Sequence, residues 1–194
     1  MNSVLTVVCD NRAAENFSSE HGLALCLQNN AGITWFDTGS GATLLKNAAT
    51  LGLPPEKCDR LILSHGHSDH TGGIPFFPAG KEIFCGKNPD APCYSCHADG
   101  SVHPLTIPEE SLSRWRKCRV REISSFTEIA PGMYISGQIE RIYPAVAGGN
   151  FFSDAACTIP NPTPEEIFLY LAEGILITGC CHAGLRNCVA CLRR

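Results

Sequence analysis

Hydrophobic residues along this chain gather in short runs set apart by glycine, proline and asparagine. Val4–Cys9, Leu23–Leu27 and Ile33–Phe36 are apolar stretches of strand length. Asn29-Asn30-Ala31-Gly32, between the second and third, carries residues that favour a tight turn and predicts a hairpin. Over Ala42–Leu51 the apolar positions Leu44, Leu45, Ala48, Ala49 and Leu51 recur at helical spacing. Gly52 is placed to end that helix, and Pro54-Pro55 prevents its continuation. Leu61-Ile62-Leu63 reads as a short buried strand. Residues 86–108 hold four prolines and two glycines, which predicts a loop-rich middle. Val120–Ile123, Thr127–Ala130 and Met133–Ser136 are expected to be short strands. Ile167–Leu171 and Ile175–Thr178, split by Glu173-Gly174, are expected to form a hairpin, and His182–Leu192 a last helix. Strands mixed with helices at this spacing fit an α/β sandwich. The length fits one domain across residues 1–194, and no internal repeat or low-complexity tract is present.

The chemistry sits directly behind the run Leu61–Leu63. Ser64-His65-Gly66-His67-Ser68-Asp69-His70-Thr71-Gly72-Gly73 packs three histidines and a carboxylate into a strand's end. His65 and His67, two apart on extended backbone, point to the same side. Asp69 and His70 follow where the chain bends, and the two glycines allow a sharp turn. Imidazole with carboxylate suits zinc, iron or manganese. The pattern H-x-H-x-D-H describes two adjacent ion sites better than one. A chance cluster of loop histidines is the alternative, and the strand-then-glycine setting argues against it.

Composition narrows the classes. A hydrophobic share of 44% can build a core, and a charged share of 18% is low for a disordered chain. A net charge of −4 gives no basic footprint for nucleic acid. No apolar run approaches the roughly 18 residues of a membrane span. Met1–Thr6 has no basic region and runs straight into a strand, so no signal peptide is expected and the cytoplasm is the expected compartment. Twelve cysteines would suggest disulfides in a small secreted chain. Here they are expected to be reduced thiols.

At the histidine motif and beyond it, the sequence resembles the metallo-β-lactamase superfamily of metallo-hydrolases. Asp10-Asn11, Glu20-His21-Gly22-Leu23, Phe36-Asp37-Thr38-Gly39, Pro131-Gly132-Met133-Tyr134-Ile135-Ser136-Gly137 and Thr178-Gly179-Cys180-Cys181-His182-Ala183-Gly184 carry the resemblance further. Together they are similar to the subgroup of 7,8-dihydropterin-6-methyl-4-(β-D-ribofuranosyl)-aminobenzene-5′-phosphate synthases and their uncharacterised relatives. The resemblance implies an αββα sandwich of metallo-β-lactamase type. It implies a hydrolase that uses a metal-activated hydroxide on a small, phosphorylated or ester-type substrate. One or two divalent ions are implied, zinc first, with iron or manganese as alternatives. His65 and His67 would hold the first ion, Asp69 and His70 the second, and His182 would add a ligand from a separate strand end. Asp69 would orient the attacking water and is the expected catalytic residue. Asp37 would support a histidine rather than bind an ion, and His21 would either face substrate or serve as a turn histidine.

Several positions depart from the pattern. Cys180 stands where many superfamily members carry a metal-bridging aspartate, and is open as ligand or as small buried side chain. Asn88 replaces a histidine in the segment Asn88-Pro89-Asp90-Ala91. His97 and His103 read as loop histidines. Cys93-Tyr94-Ser95-Cys96 and Cys188-Val189-Ala190-Cys191 read as independent thiols rather than one shared site. Relatives continue past the Gly-Cys-x-His-Ala-Gly string to a further histidine, whereas this sequence stops at Arg194. An incomplete sandwich, a weak second ion site and an exposed edge suited to homodimer formation are therefore expected. The partner expected is a small molecule, not nucleic acid or membrane. The alternative function is a non-catalytic or weakly active metal-binding module of the same fold.

Overall fold

A computed structural model describes residues 3–144 and 150–193. Met1 and Asn2, on which the reading of the amino terminus partly rests, lie outside the described residues, as does Arg194. In chain order the strands of the first half are β1 (Val4–Cys9), β2 (Ala24–Asn29), β3 (Gly32–Phe36), β4 (Arg60–Ile62), β5 (Glu82–Cys85), β6 (Tyr94–Cys96) and β7 (Val102–Pro104). Those of the second half are β8 (Arg119–Glu122), β9 (Thr127–Ala130), β10 (Met133–Ile135), β11 (Phe151–Phe152), β12 (Leu169–Leu171) and β13 (Ile175–Ile177). The helices are α1 (Leu44–Leu51), α2 (Ser68–Thr71), α3 (Glu109–Trp115) and α4 (Leu185–Cys191). They divide between two compact units, each assembled from separated stretches of chain.

The first unit takes Met1–Leu63, Ser68–Phe84 and Ile107–Arg121. Its six-stranded sheet has the order β1-β2-β3-β4-β5-β8. β1, β2 and β3 are antiparallel, and β3, β4 and β5 run parallel. Parallel strands covered on both faces read as unbroken apolar runs rather than alternation. Leu61, Ile62, Ile83 and Phe84 are accordingly all buried. The predicted hairpin is present: Asn29 pairs with Gly32, and the Asn29 side chain accepts the Ala31 N–H at 2.9 Å. Trp35 anchors the core edge-on to Phe77 at 5.2 Å. α1 ends at Gly52 in the left-handed conformation, as predicted, with the Gly52 N–H returned to the Ala48 and Ala49 carbonyls. It begins at Leu44 rather than Ala42. The Glu20 carboxylate takes the Thr43 N–H at 2.7 Å and the Ser40 hydroxyl at 2.9 Å, holding the preceding backbone outside the helix.

The second unit takes Ser64–His67, Cys85–Thr106 and Glu122–Arg194. Its four-stranded antiparallel sheet has the order β13-β12-β10-β9. Ile139, Phe168, Ala183 and Cys188 form a core cluster beneath α4, with Tyr170 and Leu176 packed against it. A smaller sheet has the order β11-β6-β7.

The middle of the chain corrects the sequence reading. β6 and β7 lie in the segment expected to be loop. They are three residues long, partly or fully exposed, and without apolar alternation, so no periodic signal marks them. Their turn is fixed by main-chain bonds from His97 to the Ser101 carbonyl and from Gly100 to the His97 carbonyl. β5, β11, α2 and α3 were not anticipated either. The last helix starts at Leu185 instead of His182, because Gly184, at φ 83° and ψ 137°, stands outside the helical conformation. Among the described residues no helix is long and apolar enough to cross a membrane, and no disulfide joins any of the twelve cysteines.

Candidate metal centre

Within the second unit three histidine rings converge. The segment Ser64–His67 brings in His65 and His67, and the turn ahead of α4 brings in His182; all three are buried. Ring centroids lie 4.4 Å apart for His65 and His67, 4.8 Å for His65 and His182, and 5.0 Å for His67 and His182. Nε2 of His65 and Nε2 of His182 face each other at 3.3 Å. Nδ1 of His65 meets the Ser64 hydroxyl at 2.8 Å, so that contact lies on the nitrogen turned away from His182. The thiol of Cys180 is exposed, and its Sγ lies within 4.8 Å of the ligating nitrogens of both His65 and His182. Nε2 of His67 faces Cys93 Sγ at 3.3 Å. Burial pushes the Cys93 thiol up to about 11, with the Glu165 charge adding to the effect, so it meets the ring as a neutral group. Phe151 on β11 closes the cluster, 5.0 Å from the His67 ring and 5.2 Å from that of His182.

Imidazole nitrogens together with a thiol form a donor set suited to zinc and other transition-metal ions. The donors within mutual reach are His65, His182 and Cys180, a set a cation could share, while the His67 ring packs against both histidines with its Nε2 facing Cys93. Without an ion the facing Nε2 atoms of His65 and His182 can pair as donor and acceptor, one ring in each tautomer.

Two buried carboxylates brace this cluster. Glu165 accepts the Gly66 N–H at 3.4 Å, between the two motif histidines. Glu166 accepts the N–H groups of His182 and Ala183 at 2.7 and 2.6 Å. Burial raises both carboxyls above their ordinary range, while these backbone donors and the Arg141 charge pull the other way. Gly66 is required by space: a Cβ there would stand 1.8 Å from the Pro89 carbonyl oxygen. A cavity of about 220 Å³ adjoins Glu165 and is lined also by Lys87, Asn88, Ser124 and Gln138.

The first unit holds the other motif residues. Asp69 and His70 lie on the short helix α2. Nδ1 of His70 meets Asp37 Oδ2 at 2.7 Å with both groups buried, and the His70 carbonyl accepts the Thr38 N–H at 2.8 Å and the Thr38 hydroxyl at 2.9 Å. Asp37 thus orients one face of the ring and leaves Nε2 toward Asp69 Oδ2, 3.4 Å away. This is the pairing by which a carboxylate fixes a ligand histidine. His21 is 83% exposed, with Nε2 3.4 Å from the same Asp69 oxygen and Nδ1 3.1 Å from Asn11 Oδ1. Burial opposes ionisation of Asp69, but the hydrogen bond and charge of His70, then the charge of His21, more than offset it and hold the carboxyl at about 2. Gly72 is needed for close approach rather than for a sharp turn: a Cβ would stand 2.2 Å from the Ser40 carbonyl oxygen.

The structure therefore brings His65, His67 and His182 together with Cys180, and places Asp69 and His70 with Asp37 and His21. His97 and His103 sit with ring centroids 5.1 Å apart around the β6–β7 turn. Phe151, Glu165, Glu166 and Arg141 were not singled out by sequence, and Cys93, read there as an independent thiol, faces His67.

Residues 27–81 match the family described as the metallo-beta-lactamase superfamily. Across 96% of its length the chain is 26% identical to an uncharacterized protein of Methanocaldococcus jannaschii, spanning 72% of that protein. Across 89% it is 27% identical to the 7,8-dihydropterin-6-methyl-4-(beta-D-ribofuranosyl)-aminobenzene-5′-phosphate synthase of the same organism, spanning 65% of it. The crystal structure of Tm1679, a metal-dependent hydrolase of the beta-lactamase superfamily, matches with a TM-score of 0.80 at 27% identity, covering 97% of this chain and 70% of that one. The α/β fold of metallo-β-lactamase type expected from the sequence is borne out, as is the resemblance to that superfamily.

Proposed function

We propose that this chain, which has the metallo-β-lactamase fold and is similar to that superfamily in sequence, is a metal-dependent hydrolase of a small phosphorylated or ester-type substrate. It is read as a single domain over residues 1–194, acting in the cytoplasm without nucleic acid. The observation that carries the reading is the convergence of His65, His67 and His182, with two Nε2 atoms 3.3 Å apart. His65, His67 and His182 would hold the ion, with Cys180 as a further donor; zinc is the first choice, iron or manganese the alternatives. When bound, such an ion lowers the pKa of water from 15.7 to about 7 and so supplies a nucleophile near neutral pH.

The chain's own groups do the rest. Asp69, two residues beyond His67, is ionised at neutral pH and is the proton acceptor and water orienter. His70, held by Asp37, and the exposed His21 flank that carboxylate, and His21 is the group free to meet substrate from solvent. Lys87 on the rim of the neighbouring cavity suits a phosphorylated substrate. The 5′-phosphate in the name of the synthase relative is in keeping with that class.

The test is hydrolysis of bis-p-nitrophenyl phosphate. Slow turnover that depends on zinc, manganese or iron, disappears on chelation and returns with metal is expected. Turnover that persists after exhaustive chelation would contradict the reading.

A further inference from the structure

We infer that Glu166 and Arg141 are positioning residues for His182, gripping its main chain from both sides so that its ring is aimed at the metal centre. The inference rests on the metal reading above and concerns how the ligand is held. The His182 N–H donates to Glu166 Oε1 at 2.7 Å and the Ala183 N–H to Glu166 Oε2 at 2.6 Å. The His182 carbonyl accepts from Arg141 Nη1 at 3.0 Å. Nη2 of Arg141 is tied to the Thr163 carbonyl at 3.1 Å and to that of Pro162, so the guanidinium is itself fixed. Glu166 is 3% exposed and His182 6%.

With both flanking peptides held, the ring of His182 has only its side-chain torsions left, and Phe151 and His65 restrict those. The same segment also borders the motif. The Ile167 N–H donates to the Ser64 carbonyl at 2.8 Å, beside His65, and Glu165 takes the Gly66 N–H. One stretch, Glu165-Glu166-Ile167, therefore sets the separation between the loop of His65 and the loop of His182. Outer-shell partners that orient a metal ligand are commonly worth 10–100-fold in affinity. Here the orienting bonds fall on the main chain instead of the ring.

A competing role is purely structural, because the same two N–H groups open the turn that leads into α4. Cobalt(II) separates the two. Its visible bands report the number and arrangement of ligands, which a fold-stabilising cap alone would not alter. Full-length wild-type protein is titrated with Co²⁺ alone, and the bands belonging to this centre are identified by their loss in His182→Ala. Glu166→Gln keeps the side chain's size but turns an amide N–H₂ toward a backbone N–H. It is expected to lower Co²⁺ affinity about 10–100-fold and to shift the bands. Glu166→Asp, with both oxygens but a shorter reach, is expected to recover part of the loss. Should Glu166→Gln fail to fold, Arg141→Lys, which keeps the charge and loses the fork, is expected to shift affinity and bands in the same direction. Unchanged affinity and bands in the folded variant, even with a lowered Tm, would overturn the inference and leave the metal reading standing. Wild-type protein that takes up no Co²⁺ would overturn both.

Discussion

Replacing His182 by alanine is expected to leave the purified protein without a tightly held ion, and His67→Ala to do the same. Catalytic zinc sites normally rest on three protein ligands plus an open position. The donors within mutual reach in the second unit are His65, His182 and the exposed thiol of Cys180, so removing His182 leaves two, and His67 packs against both rings. Loss of a mere supporting partner costs about 10–100-fold in affinity, so loss of a ligand should exceed roughly 100-fold. The readout is elemental analysis by mass spectrometry after gel filtration, with circular dichroism to establish that each variant is folded. Unchanged metal stoichiometry in both variants would remove these residues from the ligand set.

Asp69→Asn is expected to lower kcat by about two orders of magnitude or more, the scale for losing a positioned acid–base group. The substitution keeps the shape of the side chain and hence much of its contact with His70 and His21, but an amide cannot take a proton. The sign of the pH dependence follows from the environment. The carboxyl is held at about 2 against an ordinary 3.8, so the folded state favours the ionised form. The stability this contributes is present above about pH 4 and is lost as the pH falls toward 2. Asp69 is thus a proton acceptor throughout the neutral range, and an acid limb in the wild-type rate profile near neutrality would belong to another group. Rates on bis-p-nitrophenyl phosphate at saturating metal decide the matter. A kcat equal to wild type would exclude Asp69 from the chemistry.

Much of the frame was legible because it rests on local pattern. β1 has the predicted bounds, the β2–β3 turn is where asparagine and glycine place it, and Gly52 stops α1. The histidine motif was legible because its chemistry is packed into consecutive residues. The role expected for Asp37 also matches its 2.7 Å contact with His70. What escaped is held by contacts that leave no spacing pattern. Glu165 reaches Gly66 across 99 residues. Glu166 and Arg141 act on the main chain of His182, and a backbone N–H or carbonyl has no signature in sequence. β6 and β11 are too short to show periodicity, so Cys93 and Phe151 could not be linked to the histidines. One signal was available: two acidic residues directly ahead of the apolar run Ile167-Phe168-Leu169. Charge abutting a buried strand is seldom tolerated without partners. The helix expected over His182–Leu192 is shorter because Gly184, at φ 83°, breaks it, a signal that was present in the segment itself.

A metal ion held by His65, His67 and His182 is what the proposed hydrolysis requires. Elemental analysis of wild-type protein, purified without added metal and again after incubation with zinc, tests it most directly. At least one transition-metal ion per chain is predicted, removed by chelator and lost in His182→Ala. A folded protein that carries no ion as purified and takes up none from solution would contradict the account.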